Sequence, residues 1–481
     1  MAGRPVIGAA RVTTPVATVV PGKPNLLLGN FDIADLGYAA AEFFVSGTAT
    51  SYTADEEFDS DGRWSVTASE TADYITRMVV LTPTDPAAFN GTVLVEWLNV
   101  SGGIDAPALW FMAHREIVRE GYAYVVVSAQ EVGVQGGASL GPAGDMSLKR
   151  LDPVRYGPLH HPGDAYSYDI FSQVGRLIRA GEGRGVLGPL TPEFMLAVGE
   201  SQSAAFLTTY VNAVDAVAAT YDGFLVHSRF GVAAPLDGSS VFESPESTPP
   251  LAVRFRPDVR VPVLTVITET DVVGGVRPGY YLARQPDGEN LRTWEIPGTA
   301  HADNYTIKVS WIDTGSAPLD EIVAAYAPTN VLMGQQLDKC INFAPQHHYV
   351  LQAAVAALHR WLRSGEPAPI GSRIELTDAD PPQPVVDANG VARGGVRTPW
   401  VDVPTARTSG EAIDDSIMCQ LFGTGEPFDS ATLRRLYPNG VDDYLERFTE
   451  ALDVAIRSRF VLPADRQEIL ELAAAVFRDR G

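Results

Sequence analysis

The sequence contains little of what marks several large classes of protein. Only two of its 481 residues are cysteines, Cys340 and Cys419, too few for the disulfide framework of a small secreted domain. We expect two buried thiols, with a single disulfide bond between them as the alternative. No apolar run approaches the ~20 residues that a transmembrane helix needs, so no membrane span is predicted.

Basic residues are also scarce. The chain has 36 lysines and arginines against 59 aspartates and glutamates, which gives a formal net charge of −23. Nucleic acids and anionic membranes bind proteins through basic patches, so neither is expected as a partner. The N-terminus lacks a sustained apolar segment followed by a small-residue cleavage site. A cytoplasmic location is therefore expected, with secretion left open because a signal already removed leaves no trace.

The usual patterns of metal and cofactor sites are missing as well. The histidines include two adjacent pairs, His160 with His161 and His347 with His348, which lack the spacing of metal ligands. We expect capping or surface roles for both pairs. Residues 133–137 lack the G-x-G-x-x-G spacing of a dinucleotide site. No metal and no cofactor is therefore expected, and the expected partner is a small-molecule substrate; the oligomeric state stays open.

What the chain does contain is an alternation of strands and helices. Three early stretches rich in β-branched and aromatic residues, 42–52, 74–81 and 91–97, are typical of strands joined by tight turns. From residue 108 onward, apolar strands alternate with helices, which predicts a mainly parallel sheet covered on both faces. The fold class is therefore α/β, with a mainly parallel central sheet, an antiparallel N-terminal edge and helices on both faces.

The chain divides into a core and an extension. Residues 1–364 are expected to form the core, and two of its stretches, near 229–260 and 302–345, are long and poor in regular pattern, as is typical of lids or binding loops. A linker containing Pro and Gly leads into a C-terminal extension, 365–481, which we expect to pack on the core. Apolar residues at every fourth position from Tyr444 predict an amphipathic helix in that extension.

One stretch, 193–203, carries most of the functional information. It reads as a short apolar strand, a tight turn of small residues and the start of a helix. A serine at such a turn, here Ser201, has a strained backbone and an exposed hydroxyl beside the unpaired first N–H groups of the helix. The usual pattern is G-x-S-x-G; Ser203 takes the last position here and is small enough for a close approach of strand and helix. Ser201 is the candidate nucleophile.

A carboxylate and a histidine follow Ser201 in the order that a triad on this kind of sheet requires. Asp271 comes after one apolar strand and His301 after the next, and parallel strands end at one edge of their sheet. His301 can take the serine proton, and a carboxylate can orient its ring. Asp271 is preferred as the acid because its spacing from the strand matches the usual acid loop, and Glu269 is the alternative.

Stabilising an oxyanion beside the nucleophile needs two N–H donors. The first is expected to be the backbone N–H of Gln202, directly after Ser201. The second should come from the loop after the third strand, 97–103, in which Asn99 and Val100 are both candidates. This loop lacks the histidine-glycine signature often found there, so the choice between the two residues stays open.

With these residues placed, the chain resembles the α/β-hydrolase superfamily, and more closely the bacterial group called α/β-hydrolase domain-containing proteins. The resemblance spans most of the chain and rests on residues 96–103, 199–203, 268–271, 298–301 and 395–400. It implies the α/β-hydrolase fold with lid insertions and a C-terminal helical extension. It also implies a serine-dependent hydrolase, and it implies little about the substrate.

The expected function is hydrolysis of a carboxylic ester. Ser201, His301 and Asp271 would act through an acyl-enzyme intermediate, with the oxyanion held by backbone N–H groups. Two alternatives stay open: an acyltransferase that uses the same triad, and a binding protein of the same fold without catalysis.

Overall fold

The computed structural model describes residues 14–140, 144–180, 185–239, 252–412 and 416–480. Its centre is a nine-stranded sheet in the order β1-β2-β3-β5-β4-β6-β7-β8-β9. The strands of this sheet are β1 (Val16–Val20), β2 (Tyr38–Ala54), β3 (Val66–Pro83), β4 (Thr92–Trp97), β5 (Ala123–Val127), β6 (Phe194–Glu200), β7 (Gly223–His227), β8 (Val263–Thr268) and β9 (Leu291–Ile296).

Helices occur between the later strands and after the sheet. The α-helices before β9 are α1 (Ala108–Arg119), α2 (Glu131–Gln135), α3 (Leu148–Leu151), α4 (Pro153–Tyr156), α5 (Ser167–Arg179), α6 (Gln202–Thr209), α7 (Asp215–Ala218) and α8 (Glu269–Val273). The rest are α9 (Asn304–Ile307), α10 (Leu319–Ala325), α11 (Gln346–Ser364), α12 (Pro399–Asp402), α13 (Ile417–Phe422), α14 (Ser430–Leu436), α15 (Val441–Arg457) and α16 (Arg466–Arg480). A short hairpin, β10 (Val331–Leu332) with β11 (Gln335–Gln336), and a separate antiparallel pair, β12 (Ala406–Ser409) with β13 (Thr424–Pro427), lie outside the main sheet.

The direction of the strands changes between β3 and β5. Strands β4 to β9 are all parallel to one another, whereas β1, β2 and β3 pair antiparallel and β3 joins β5 antiparallel. Strands β4 and β5 are buried over their whole length, as expected for strands covered on both faces, while β2 and β3 also contain many exposed or partly exposed residues. The prediction of a mainly parallel sheet with an antiparallel N-terminal edge is confirmed.

Each face of the sheet is covered by its own apolar layer. On one face α5 and α6 pack around Trp97, whose ring lies 4.9 Å from that of Phe171 and 5.3 Å from that of Phe206. On the other face α1 and α11 contribute buried residues such as Trp110 and Leu358. Helices therefore cover both faces, as predicted from the strand–helix alternation.

The C-terminal helices form a third apolar cluster against the core. Tyr444, Phe448 and Leu452 of α15 are buried and share this cluster with Phe477 of α16, which confirms the amphipathic helix. Ion pairs join α16 and the turn before it to α1: Arg115 to Glu468 at 2.8 Å, and Arg119 to Asp465 at 2.6 Å. These ion pairs hold α16 against α1, and the division of the chain into a core and a C-terminal extension packed on it at residue 364 stays a prediction.

The two predicted lid stretches differ in what can be described. Of the stretch near 229–260, residues 240–251 lie outside the described residues, and the described parts on either side contain no helix or strand. The stretch near 302–345 contains α9, α10 and the β10–β11 hairpin. Their function as lids stays a prediction.

Cys340 and Cys419 do not form a disulfide bond. Cys419 is buried but Cys340 is partly exposed, so the expectation of two buried thiols is right for Cys419 alone. Within the ranges given above, no helix is long and apolar enough to cross a membrane.

Candidate active site

Ser201 lies at the sharp turn between β6 and α6. The strand ends at Glu200 and the helix begins at Gln202, so Ser201 is the single residue that joins them. Its backbone angles are φ 55° and ψ −117°, a conformation that residues other than glycine rarely adopt. The turn places the serine hydroxyl at the carboxyl edge of the parallel strands, where open α/β sheets bind ligands.

Two small residues, Gly199 and Ser203, make this turn possible. A Cβ atom on Gly199 would lie 2.8 Å from the carbonyl oxygen of Ser203, so only glycine allows the strand and helix to come this close. The Ser203 hydroxyl donates to the carbonyl of Glu200 at 2.8 Å and accepts from its N–H at 3.0 Å. Ser203 is therefore more than a small residue at the last position of the pattern, because its side chain braces the turn.

His301 and Asp271 complete a continuous hydrogen-bonded chain with Ser201. The Nε2 atom of His301 lies 2.9 Å from Ser201 Oγ, and its Nδ1 atom lies 2.6 Å from Asp271 Oδ1. The second oxygen of Asp271 accepts from the N–H of Thr268 at 3.0 Å and from its hydroxyl at 2.6 Å. Asp271 is fully buried, so its position and orientation are fixed by these partners.

Glu269, the alternative acid, has different partners. Its carboxylate accepts hydrogen bonds from the N–H of Gly298 at 2.7 Å, the N–H of Gly410 at 3.0 Å and the hydroxyl of Ser409 at 3.0 Å. Burial raises the pKa of Glu269, with these donors opposing it. The side chain therefore links the loop that carries His301 to the C-terminal extension, and it does not orient the imidazole.

The C-terminal extension makes further contacts with the same loops. The N–H of Ala302, next to the candidate base, donates to the carbonyl of Leu421 at 2.9 Å. The hydroxyl of Thr270, in the helix that carries the acid, donates to the carbonyl of Gly410 at 2.9 Å. Segments more than 100 residues later in the chain therefore hold the loops that carry the histidine and the acid.

The candidate oxyanion donors differ in whether their backbone N–H groups already donate to an acceptor within the protein. Gln202 is the first residue of α6, so its N–H has no acceptor within the helix. The N–H of Asn99 donates to the carbonyl of Ala106 at 3.2 Å, and its side-chain amide donates to Glu200 Oε2 at 2.9 Å. The N–H of Val100 meets no hydrogen-bond acceptor in the described part of the chain. Of the two alternatives in this loop, only Val100 therefore has an N–H available for a ligand.

Glu200, which directly precedes the nucleophile, was not singled out from the sequence. Its Oε1 atom lies 3.5 Å from His301 Nε2. Burial raises the pKa of Glu200 to about 7, with His301 opposing the shift. For His301, burial disfavours the imidazolium, but Asp271 and Glu200 outweigh that effect and raise its pKa above the ordinary value. The sequence feature that could have identified Glu200 is its position directly before Ser201, because the turn that presents the serine also brings the adjacent residue into the site.

A cavity of ≈ 220 Å³ opens beside Ser201 and His301. Its walls are largely apolar and include Phe111, Met112, Leu140, Phe230, Val232, Val276 and Leu421. The Phe230 ring stacks on the imidazole of His301 at 5.3 Å. Described parts of both predicted lid stretches, and one residue of the C-terminal extension, therefore form walls of this cavity.

The histidine pair at the start of α11 departs from the prediction. His347 and His348 are each 1% exposed, so a surface role is wrong for both. His347 contacts His227, a cavity residue, with 2.8 Å between the two Nε2 atoms. Among the described residues, no group of three or more His, Cys, Asp and Glu side chains is arranged to hold a metal ion.

Comparisons with known proteins give one match over nearly the whole chain. A family model described as "Alpha/beta hydrolase domain" matches residues 3–471. No curated protein matches the chain.

Several solved structures are similar to part of the chain. They include an esterase from Pyrococcus furiosus (10% identity, 56% of this chain and 87% of that chain covered, TM-score 0.30). A fungal esterase from Rhizomucor miehei is also similar (11% identity, 66% of this chain and 86% of that chain covered, TM-score 0.30). So is a glucuronoyl esterase from Solibacter usitatus (11% identity, 60% of this chain and 82% of that chain covered, TM-score 0.30). At these identities and scores the similarity carries no argument about substrate.

Proposed function

The chain belongs to the α/β-hydrolase domain family, and from this we propose that it is a serine hydrolase that cleaves small-molecule carboxylic esters. The observation that carries the proposal is the chain of hydrogen bonds from Ser201 through His301 to Asp271, at 2.9 and 2.6 Å. It begins at a serine whose backbone is strained and ends at a fully buried carboxylate. A hydroxyl, an imidazole and a carboxylate in this order are what nucleophilic acyl transfer requires.

In the first half of the reaction, Ser201 Oγ attacks the acyl carbon of the ester while its proton passes to His301 Nε2. The imidazolium that forms is stabilised by Asp271, which accepts from Nδ1 throughout. When the tetrahedral intermediate collapses, the bond to the alcohol oxygen breaks and the alcohol leaves with the proton from His301. The product is an acyl-enzyme on Ser201.

In the second half, water takes the place of the alcohol. His301 accepts a proton from the water as its oxygen attacks the acyl carbon, and then returns that proton to Ser201 Oγ as the acid leaves. The negative charge on the carbonyl oxygen is stabilised in both halves by the N–H groups of Gln202 and Val100. This assignment is supported by the absence of another acceptor for the Val100 N–H in the described part of the chain.

Glu200 stabilises the positive charge that His301 gains when it takes the proton of Ser201. When ionised, it places a second carboxylate 3.5 Å from His301 Nε2, the atom that gains the proton. Since its pKa is about 7, its ionised fraction changes across the physiological range. Glu200 is therefore a positioning and charge-stabilising residue of the base.

A fluorophosphonate probe together with 4-nitrophenyl esters tests the proposal. We expect covalent labelling of the wild-type protein at Ser201, release of 4-nitrophenol, and loss of both in Ser201→Ala. Absence of labelling where a control esterase reacts would show that the chain is not a serine hydrolase. Product analysis with an added alcohol separates the activities: free acid supports hydrolysis, whereas a new ester as the main product indicates an acyltransferase.

A further inference from the structure

One side chain, that of Asn99, connects the loop of a proposed oxyanion donor to the turn of the nucleophile. Val100 lies in the donor loop, residues 98–106, which leaves the sheet at the end of β4. The neighbouring strand β6 pairs in parallel with β4 and ends at Glu200. Asn99 Nδ2 donates to the carbonyl oxygen of Glu200 at 3.1 Å and to its Oε2 atom at 2.9 Å. Within the described residues, no other side-chain hydrogen bond joins the donor loop to the turn at residues 200–203.

The orientation of the Asn99 amide follows from its backbone partners. Its Oδ1 atom accepts the N–H of Ser101 at 2.8 Å, and a backbone N–H can only donate. The NH₂ group must therefore face Glu200, whose carbonyl oxygen can only accept. Both hydrogens of the amide and its oxygen are thereby bonded, and the residue is 7% exposed. The side chain is held in one orientation, because a reversed amide would set like groups against each other on both sides.

The backbone of Asn99 fixes the direction of the Val100 N–H. The carbonyl of Asn99 accepts the N–H of Ala106 at 2.9 Å, and the N–H of Asn99 donates to the carbonyl of Ala106 at 3.2 Å. In a trans peptide, the carbonyl and the N–H that follows it point in opposite directions. The N–H of Val100 therefore points away from Ala106, and a shift of Asn99 would move this N–H with it.

The second hydrogen bond of the amide concerns the carboxylate beside the base. Asn99 holds Oε2 of Glu200, while the other oxygen, Oε1, lies 3.5 Å from His301 Nε2. A donor on a carboxylate favours its ionised form, so Asn99 opposes the effect of burial on the pKa of Glu200. Glu200 in turn is one of two carboxylates that raise the pKa of His301. One amide group thus holds both the backbone that precedes the nucleophile and the carboxylate that faces the base.

We propose that Asn99 is a positioning residue of the proposed hydrolase. Its amide sets the place of the Val100 N–H relative to Ser201, and it holds the carboxylate of Glu200 beside the base. This inference rests on the proposed ester hydrolysis and adds to it a residue that acts through its neighbours. The role differs from that of an oxyanion donor, because the backbone N–H of Asn99 already donates within the loop.

Replacing Asn99 by leucine tests the action on the oxyanion. Leucine has a similar size and branching but no donor or acceptor, so the link between the donor loop and the turn is lost. With 4-nitrophenyl butanoate, kcat should fall about 100-fold, the effect of misplacing one group by about 1 Å. KM should stay near its wild-type value, because the donors bind a charge that develops only in the transition state.

A trifluoromethyl ketone of matched chain length measures the same effect without turnover. Ser201 Oγ bonds to its carbonyl carbon, the Oγ proton passes to His301, and the carbonyl oxygen becomes the negatively charged oxygen that the donors bind. The inhibition constant should therefore rise in Asn99→Leu by the factor by which kcat/KM falls. A partial loss of folded protein would lower the amount of active enzyme and leave this constant unchanged.

The pH profile of kcat/KM tests the action on Glu200. Without the Asn99 donor, Glu200 is ionised over less of the pH range, the pKa of His301 falls, and the acidic limb moves to lower pH. In a Glu200→Gln background, Asn99→Leu should not move the limb further, because the carboxylate through which Asn99 acts is gone. The variant leaves in place the other charged or titratable groups around these side chains: Glu96, His227, Asp271, Arg277 and His347.

Two further variants separate positioning from packing. Asn212→Leu is the matched control, because Asn212 is also buried and its amide joins two backbone groups, but it does not line the cavity. It should lower the melting temperature and leave kcat, the inhibition constant and the acidic limb unchanged. Asn99→Asp keeps the size of the side chain and the acceptor for Ser101, and it turns an oxygen toward the carbonyl of Glu200. Its kcat should fall at least as far, and it carries the test where the leucine variant does not fold.

The two levels of the proposal fail in different ways. If the wild-type protein hydrolyses the butanoate ester and folded Asn99→Leu or Asn99→Asp keeps more than a tenth of kcat, the inference about Asn99 is overturned and the hydrolase stands. A fall in kcat with an unchanged inhibition constant, or with an unmoved acidic limb in Asn99→Leu, would also overturn it, because Asn99 would then act through packing alone. If no ester is cleaved and the fluorophosphonate does not label Ser201, the proposed function itself is wrong.

Discussion

Replacing Asp271 by asparagine separates the two candidate acids, and the structure indicates how it should act. Oδ2 of Asp271 accepts from the backbone N–H of Thr268, a donor that cannot turn away. In the variant, the amide oxygen must take this position, so the NH₂ group faces His301 Nδ1. That nitrogen then has to accept, which moves the imidazole hydrogen to Nε2. A ring protonated at Nε2 cannot take the proton of Ser201.

The expected loss is large. An acid-to-amide change that stabilises the wrong tautomer lowers kcat by about 10⁴-fold in serine hydrolases with this arrangement. This corresponds to roughly 5 kcal/mol in the activation barrier. The measurement is kcat with 4-nitrophenyl butanoate, together with the melting temperature, which should change little because the new side chain keeps the volume and the Thr268 contact of Asp271.

Glu269→Gln is the matched comparison. Its carboxylate holds donors on both oxygens, and an amide can serve only one side, so a buried donor loses its acceptor at a cost of about 1–3 kcal/mol. We expect a lower melting temperature and kcat within about tenfold of wild type. The reasoning would be refuted if Glu269→Gln abolished turnover at an unchanged melting temperature, or if Asp271→Asn kept more than a tenth of kcat.

Further predictions concern the base and the turn. The acidic limb of the pH profile of kcat/KM should lie above pH 6.5, because the base must be neutral and the pKa of His301 is raised above that ordinary value. Glu200→Gln should move this limb to lower pH, and an unchanged limb would mean that Glu200 does not influence the base. Gly199→Ala places a Cβ atom 2.8 Å from the Ser203 carbonyl, so the rate of fluorophosphonate labelling should fall about 100-fold; a wild-type rate would contradict the close approach. Ser203→Gly removes both hydrogen bonds across the turn, and the free energy of unfolding in urea should drop by about 1–2 kcal/mol; no change would show that the brace is not stabilising.

The fold and the arrangement of the three central residues could be predicted because their signals are local. Continuous apolar strands separated by amphipathic helices specify a parallel sheet, and the ends of such strands meet at one edge. Ser201, Asp271 and His301 each lie at or shortly after the carboxyl end of a strand, so the order of the strands indicated that they would be close together.

What could not be predicted depends on contacts between distant parts of the chain. Glu269 stayed open as the alternative to Asp271 because its partner Ser409 lies 140 positions away and no local sequence pattern indicates that contact. His347 looked like a surface residue for the same reason, since its contact with His227 spans 120 positions. The local sequence pattern identifies which strand ends carry polar residues. Only tertiary packing decides which of these side chains are buried and which side chains they contact.

The contacts of the C-terminal extension also bear on the order in which the protein is made. Ser201, Asp271 and His301 leave the ribosome well before Ser409, Gly410 and Leu421, which hold the loops of the acid and the base. A nascent chain that has reached only residue 364 therefore contains every reacting group and lacks these supports. We therefore expect a chain that ends at residue 364 to lack an ordered site until the later segments have packed against these loops.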